Sequence, residues 1–143
     1  MWATDPDVTY DFSSGWSVSN GTLSDGTTSF TGAGGKNFKM NSGYFILGQT
    51  DAYLNFPTYD KAVAKIVVTG RSGASTGVVQ NIFVENTAVS DATTGAEGAN
   101  TYNIASDYQA AGTTYTLKVT SKHNTQITKI EIFFASGSGE TDV

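Results

Sequence analysis

Flat aromatic rings alternate with amides and carboxylates in three stretches of this chain: Tyr44 before Phe45-Ile46-Leu47, Tyr53-Leu54-Asn55-Phe56, and Asn81-Ile82-Phe83-Val84-Glu85. Side chains point to opposite faces at successive positions of a strand. If Phe45 and Leu47, Leu54 and Phe56, and Ile82 and Val84 face a core, then Tyr44, Tyr53, Asn55, Asn81, Phe83 and Glu85 face away from it. The same phase near the end of the chain turns Lys129, Glu131 and Phe133 outward beside Ile130, Ile132 and Phe134. Such a set suits a pyranose: its C–H face stacks on an aromatic ring, and its hydroxyls need donors and acceptors once they leave water. Arg71, the single arginine, sits in Gly70-Arg71-Ser72-Gly73 just beyond a strand end. Its rigid fork could hold two hydroxyls or a uronic carboxylate, which makes it the preferred polar anchor. With the loop aromatic Tyr59, the candidate ligand-binding residues are Tyr44, Tyr53, Tyr59, Arg71, Asn81, Phe83 and Glu85.

Each of these residues also has a plain packing role. The opposite phase of the third stretch would bury Phe83 with Val79 in place of Ile82 and Val84. Tyr44 and Tyr53 could be cross-strand partners capping a sheet edge. Trp16 shares a face with Val18 and reads as core or rim. Tyr59 and Tyr108 could plug the end of a sandwich, and Trp2 precedes the first strand.

Catalysis has no foothold: no catalytic residues are assigned. The lone histidine, His123, lies in a turn with no acidic neighbour in sequence, and neither G-x-S-x-G nor H-E-x-x-H occurs. The carboxylates show no pairing on one strand that would set two of them across a glycosidic bond. Asp5, Asp7, Asp25, Asp51, Asp60 and Asp107 occupy turns where carboxylate and backbone oxygens could surround calcium, without EF-hand spacing.

The chain of 143 residues fits one domain that can bury its own core. It has no cysteine, which removes disulfides, thiol nucleophiles and cysteine-bound zinc. With 21 threonines, 16 glycines and only 15% charged residues, the composition favours strands, turns and a neutral hydroxyl surface suited to the outside of a cell. A formal charge of −5 with no Lys/Arg cluster argues against nucleic acid and anionic membrane. No apolar run approaches the roughly 20 residues of a membrane span, and the first residues lack signal-peptide character, as in an excised module.

These positions must be held by strands. Alternation predicts strands at Val8–Phe12, Trp16–Val18, Thr22–Ser24, Thr28–Thr31, Lys36–Met40, Tyr44–Gly48, Ala52–Phe56, around Ala64 to Val68, Val78–Glu85, Thr113–Ser121 and Gln126–Phe134. Asn20-Gly21, Asp25-Gly26 and the glycines from Gly32 to Gly35 supply turns. Ser90 to Asn100 has no period and reads as a mobile surface loop. The last two strands read as a hairpin turning at Lys122-His123-Asn124-Thr125. The expected fold is all-β, an antiparallel two-sheet β-sandwich of jelly-roll type, over residues 5–135, with 136–143 a flexible linker or tail.

The closing segment from Tyr115 to Phe134 (YTLKVTSKHNTQITKIEIFF), with Val8 to Trp16 (VTYDFSSGW), resembles jelly-roll modules appended to secreted bacterial glycan-degrading proteins. The resemblance covers residues 8–134 in strand pattern and carries over no site residue. It implies a non-catalytic carbohydrate-binding module for a polysaccharide or oligosaccharide, secreted or at the cell surface, that targets an attached catalytic domain to its substrate. It also implies that a structural calcium away from the ligand is one option. The alternative is a structural or protein-interaction sandwich of an adhesin or other secreted multidomain protein. The final Glu140-Thr141-Asp142-Val143 has the form of a PDZ-binding end, which a cut within a linker explains equally.

Overall fold

Because each of these segments has only one apolar face, two layers of strands must close on each other, and the computed structural model has that form. It describes residues 5–34, 37–121 and 123–135. Trp2, Lys36, Lys122, the Ser-Gly linker after Ala135 and the Glu140–Val143 terminus lie outside the described residues. The strands are β1 Val8–Asp11, β2 Ser17–Ser19, β3 Thr22–Ser24, β4 Ser29–Ala33, β5 Phe38–Asn41, β6 Tyr44–Leu47 and β7 Tyr53–Asn55. They continue with β8 Val63–Gly70, β9 Val79–Val84, β10 Thr87–Ala88, β11 Thr93–Thr94, β12 Gly98–Asn103, β13 Thr116–Val119 and β14 Thr125–Phe134. One 3-10 turn, Ser106–Tyr108, is the helical element among the described residues, so none of them forms a helix long enough to cross a membrane.

A six-stranded sheet runs β12-β8-β14-β6-β5, with β1 also on β14, and an eight-stranded sheet runs β10-β9-β13-β7-β4-β3-β2, with β11 also on β9. The long edge of β14 is shared, β6 pairing with Thr125–Ile127 and β1 with residues 129–132. From β6 to β9, and again from β12 to β14, successive long strands alternate between layers, the jelly-roll winding. All strand pairs are antiparallel.

Phe45, Leu47, Leu54, Ile66, Ile82, Leu117, Ile127, Ile130 and Ile132 are fully buried between the layers. A register shift between Ile127 and Lys129 lets Ile127 and Ile130 both face inward although three positions separate them. One end of the core is aromatic: Phe12 meets Trp16 edge-on with centroids 4.9 Å apart, and Phe30 meets Tyr10 at 4.9 Å and Phe56 at 5.3 Å. Burying one such ring contributes about 2–3 kcal/mol, and each edge-to-face pair about 0.5–1.5 kcal/mol more. Trp16 therefore packs against the core, as its phase with Val18 indicates.

Two expectations are corrected. Within the Ser90 to Asn100 stretch read as a loop, Thr93–Thr94 pairs with β9, and Gly98 to Asn100 begin an edge strand on β8 that runs on to Asn103. Gly98, Ala99 and Asn100 are poor strand formers, and the ladder to β8 holds them where propensity would not. Nor do β13 and β14 form a hairpin: β13 pairs with β7 and β9 in one sheet, β14 with β8, β6 and β1 in the other. β13 buries every second residue and β14 does so on either side of its register shift, so each covers the same core from its own side.

Candidate ligand-binding faces

On the outer face of the eight-stranded sheet, the register aligns Phe83, Thr116, Asn55, Thr31 and Thr22 in one row and Asn81, Lys118, Tyr53 and Ala33 in the next. The rows follow from strand neighbours, β9-β13-β7-β4, that are distant in sequence. Thr116 Oγ1 donates to Asn55 Oδ1 at 2.7 Å, and Asn55 Nδ2 donates weakly to Thr31 Oγ1 at 3.4 Å, leaving the amide hydrogens largely free for a ligand. Asp51, Tyr53, Asn55, Glu85, Asn86, Thr116 and Lys118 line a depression of about 380 Å³ over these rows. Tyr53 is the one exposed large hydrophobic among the described residues, at 38%.

Both carboxylates of this depression sit on unusual backbone. Asp51 has φ 73° and Glu85 φ 57°. Glu85 and Asn86 form the two-residue turn between β9 and β10, whose first position requires positive φ and is ordinarily glycine. A side chain there costs about 1–2 kcal/mol, so the turn carries a carboxylate at the expense of stability. Lys118 shares the lining with the two acids and reaches over the Phe83 ring, its Nζ 5.3 Å from the centroid. A ring covered by an ammonium has less free surface for a sugar, and among the described residues no cation lies over the Tyr53 ring.

The outer face of the six-stranded sheet carries the other aromatics. Arg71 lies over Tyr44, 4.8 Å from guanidinium carbon to ring centroid, and Lys65 lies over Phe133 at 4.3 Å. Lys129 and Glu131 form an ion pair at 3.7 Å. This face is a charged, solvated surface whose rings are already capped by cations.

The seven candidate residues thus divide. Tyr53, Glu85 and Phe83 share the eight-stranded face, with Ile82 inward and fully buried as the first phase requires. Tyr44 and Arg71 are together on the opposite side of the molecule. Asn81 belongs to the Tyr53 row, but it is buried and its amide is spent on the chain: Nδ2 donates to the Ser90 carbonyl at 2.8 Å, and Oδ1 accepts from the Ser90 hydroxyl and the Ile82 N–H. Tyr59 is a correction to the loop-tip reading. It is buried, its hydroxyl bonds that of Tyr10 at 2.9 Å, and its ring packs edge-on against Phe134, because the loop after Pro57 folds back over the end of the sandwich. Burial pushes the Tyr59 phenol up from its ordinary value, its hydroxyl contact with Tyr10 adding to this.

Sequence reasoning missed Thr116, Lys118, Asp51 and Asn86. Thr116 and Lys118 alternate with Leu117 and Val119, so their outward phase was legible; that β13 lies beside β7 was not. A second depression of about 360 Å³, lined by Ala88, Val89, Ser90, Asp91, Thr101, Asn103 and Ala105, contains no aromatic ring. Among the described residues no three His, Cys, Asp or Glu side chains gather to hold a metal, which leaves the turn aspartates without a clustered site. Asp25, for one, is engaged by the Thr27 and Thr28 N–H groups, which hold its carboxyl below the usual range.

No family model and no curated protein matches the sequence. Among solved structures, the fold is similar to one described as a new low affinity xylan binding module, CBM86, from the xylanolytic gut symbiont Roseburia intestinalis. The TM-score is 0.56 at 10% identity, over 92% of this chain and 98% of that one. The likeness is one of fold, consistent with the sandwich of a carbohydrate-binding module.

Proposed function

We propose that this chain is a non-catalytic carbohydrate-binding module that takes a polysaccharide segment on the outer face of its eight-stranded sheet. Tyr53 is the stacking platform; Asn55, Thr116, Lys118 and Glu85 supply hydrogen bonds to hydroxyls, and Phe83 flanks them. The reading is carried by one observation: the single exposed large ring among the described residues opens into a depression whose other walls are amide, hydroxyl, ammonium and carboxylate groups. A face built to dock another protein would present several apolar anchors together. Two carboxylates against one ammonium favour a neutral glycan over an anionic one there. The module holds an attached catalytic domain near its substrate outside the cell, the arrangement that a threonine-rich, sparsely charged surface suits.

Affinity electrophoresis against neutral plant and microbial glycans tests this. Xylan belongs in the panel because the similar solved fold is described as xylan-binding. Retardation in at least one neutral glycan gel is expected. No retardation in any gel would favour the structural or protein-interaction role instead.

A further inference from the structure

We infer that Arg71 and Tyr44, on the outer face of the six-stranded sheet, form a second site that takes the carboxylate of a uronic-acid residue on an otherwise neutral glycan. This does not rest on the Tyr53 face, from which it is separated by the thickness of the sandwich.

The guanidinium is fixed before any ligand arrives. It stacks on Tyr44, its Nε donates to Gln126 Oε1, and its Nη1 donates to the Ser72 carbonyl at 2.8 Å. Gln126 is itself oriented, its Nε2 donating to Asn124 Oδ1 at 2.9 Å. The loop is closed by backbone bonds from the Arg71 N–H to the Gln126 carbonyl at 3.1 Å and from the Ala74 N–H to the Arg71 carbonyl at 3.0 Å. Arginine carries five N–H donors, of which these contacts use two, so donors at both Nη atoms stay available for two parallel bonds to a carboxylate. An arginine so preorganised loses little rotamer entropy on binding.

Among the described residues no carboxylate pairs with its charge. The one ion pair among the described residues is Lys129–Glu131. Glu97, on the neighbouring segment, accepts from the Gly73 N–H at 3.1 Å and does not reach Arg71 within ion-pair distance. Lys39, exposed and in register with Ile46 next to Gln126, adds a second positive charge to the same side. Tyr44 is partly exposed, and its hydroxyl accepts from Asn41 Nδ2 at 3.0 Å, which leaves its own hydrogen for a sugar oxygen.

The class of ligand follows from charge and surface together. Among its described residues the face has no exposed large hydrophobic to anchor an acidic peptide. The net charge of −5 opposes a polyanion. A single acidic sugar carried by a neutral chain meets the local cations without the long-range repulsion.

The test is a titration of the intact chain with sodium D-glucuronate, methyl β-D-glucoside, sodium acetate and a polyglutamate peptide, followed by amide and arginine Nε–H resonances. Glucuronate should shift Arg71 and Gln126, acetate at least fivefold more weakly in affinity, and the glucoside not at all at these groups. Arg71→Gln should reduce glucuronate affinity at least tenfold. Arg71→Lys, which keeps the charge but not the fork, should lose at least threefold, and the same spectra report whether each variant is folded. Absence of shifts at Arg71, equal affinity for acetate, tighter binding of polyglutamate, or full retention by Arg71→Lys would each overturn the inference. Retardation by neutral glycans is read separately, so its loss would count against the Tyr53 face alone.

Discussion

Replacing Tyr53 with alanine removes the platform on which the proposed glycan contact depends, and its cost can be worked from exposure. The side chain is 38% exposed. A tyrosine presents about 200 Å² in all, so roughly 80 Å² remain for a sugar to cover. At about 25 cal/mol per Å² that is about 2 kcal/mol. One factor of ten in affinity is about 1.4 kcal/mol, so Tyr53→Ala should weaken binding about 30-fold. The rest of the residue packs on the sheet between β13 and β4, so the substitution also costs about 1 kcal/mol or more of stability, and a urea unfolding curve alongside separates lost binding from lost folding. Affinity electrophoresis or calorimetry with whichever neutral glycan retards the parent chain gives the readout. Phe83→Ala should lose less, because Lys118 already occupies part of the Phe83 ring face. Tyr44→Ala is the counter-test, since Tyr44 lies under Arg71 on the opposite face. Neutral-glycan binding that survives Tyr53→Ala and vanishes in Tyr44→Ala would refute the assignment of the face.

Glu85→Gly relieves a left-handed backbone at the β9–β10 turn, so the urea midpoint should rise by the equivalent of about 0.5–1 kcal/mol while glycan retardation weakens. A variant that is both more stable and equally retained would remove Glu85 from the site. Gly70→Ala would set a Cβ 1.9 Å from the Ala96 carbonyl oxygen and 3.2 Å from that of Gln126, both backbone atoms. It should cost about 3 kcal/mol in urea denaturation, and a loss under about 0.5 kcal/mol would show that the β8 end and the Ala96 segment do not meet as described. At alkaline pH the buried Tyr102 hydroxyl, pushed up to about 12 by burial despite its bond with Thr93, holds its proton when the unfolded chain, near 10, has released it. That contribution, about 2.7 kcal/mol, is complete below pH about 10 and is lost as pH rises toward about 12. Burial moves Tyr10, Tyr59 and Tyr115 the same way. Stability measured by denaturant titration should therefore fall steeply above pH about 10, less so in Tyr102→Phe, and a flat profile would contradict the burial of these hydroxyls.

The alternation of Leu54 with Tyr53 and Asn55 indicated which side chains leave the core, because the period of a strand is a local steric property of the chain; the same period left Ile82 and Phe83 open to either phase, and the burial of Ile82 decides it. The Asn20-Gly21 turn was equally legible: Asn20 and Gly21 have φ of 50° and 75°, as a two-residue hairpin between β2 and β3 requires. Where local chemistry was weak, the reading failed. Gly98 to Asn100 have little strand propensity and are in a strand because β8 offers them a ladder. Tyr59 looks like a loop tip until the loop folds back onto Phe134.

Sequence alone thus indicated the sandwich and the outward phase of Tyr44 and Tyr53, and left Phe83 between two phases, of which the buried Ile82 selects one. Only the tertiary structure decided that Tyr53 joins Asn55, Thr116 and Lys118, while Tyr44 joins Arg71 on the far side. The reason is physical: facing outward is set between neighbouring residues, whereas the layer a strand occupies is set by hydrogen bonds to strands remote in sequence, β6 to β14 and β7 to β13.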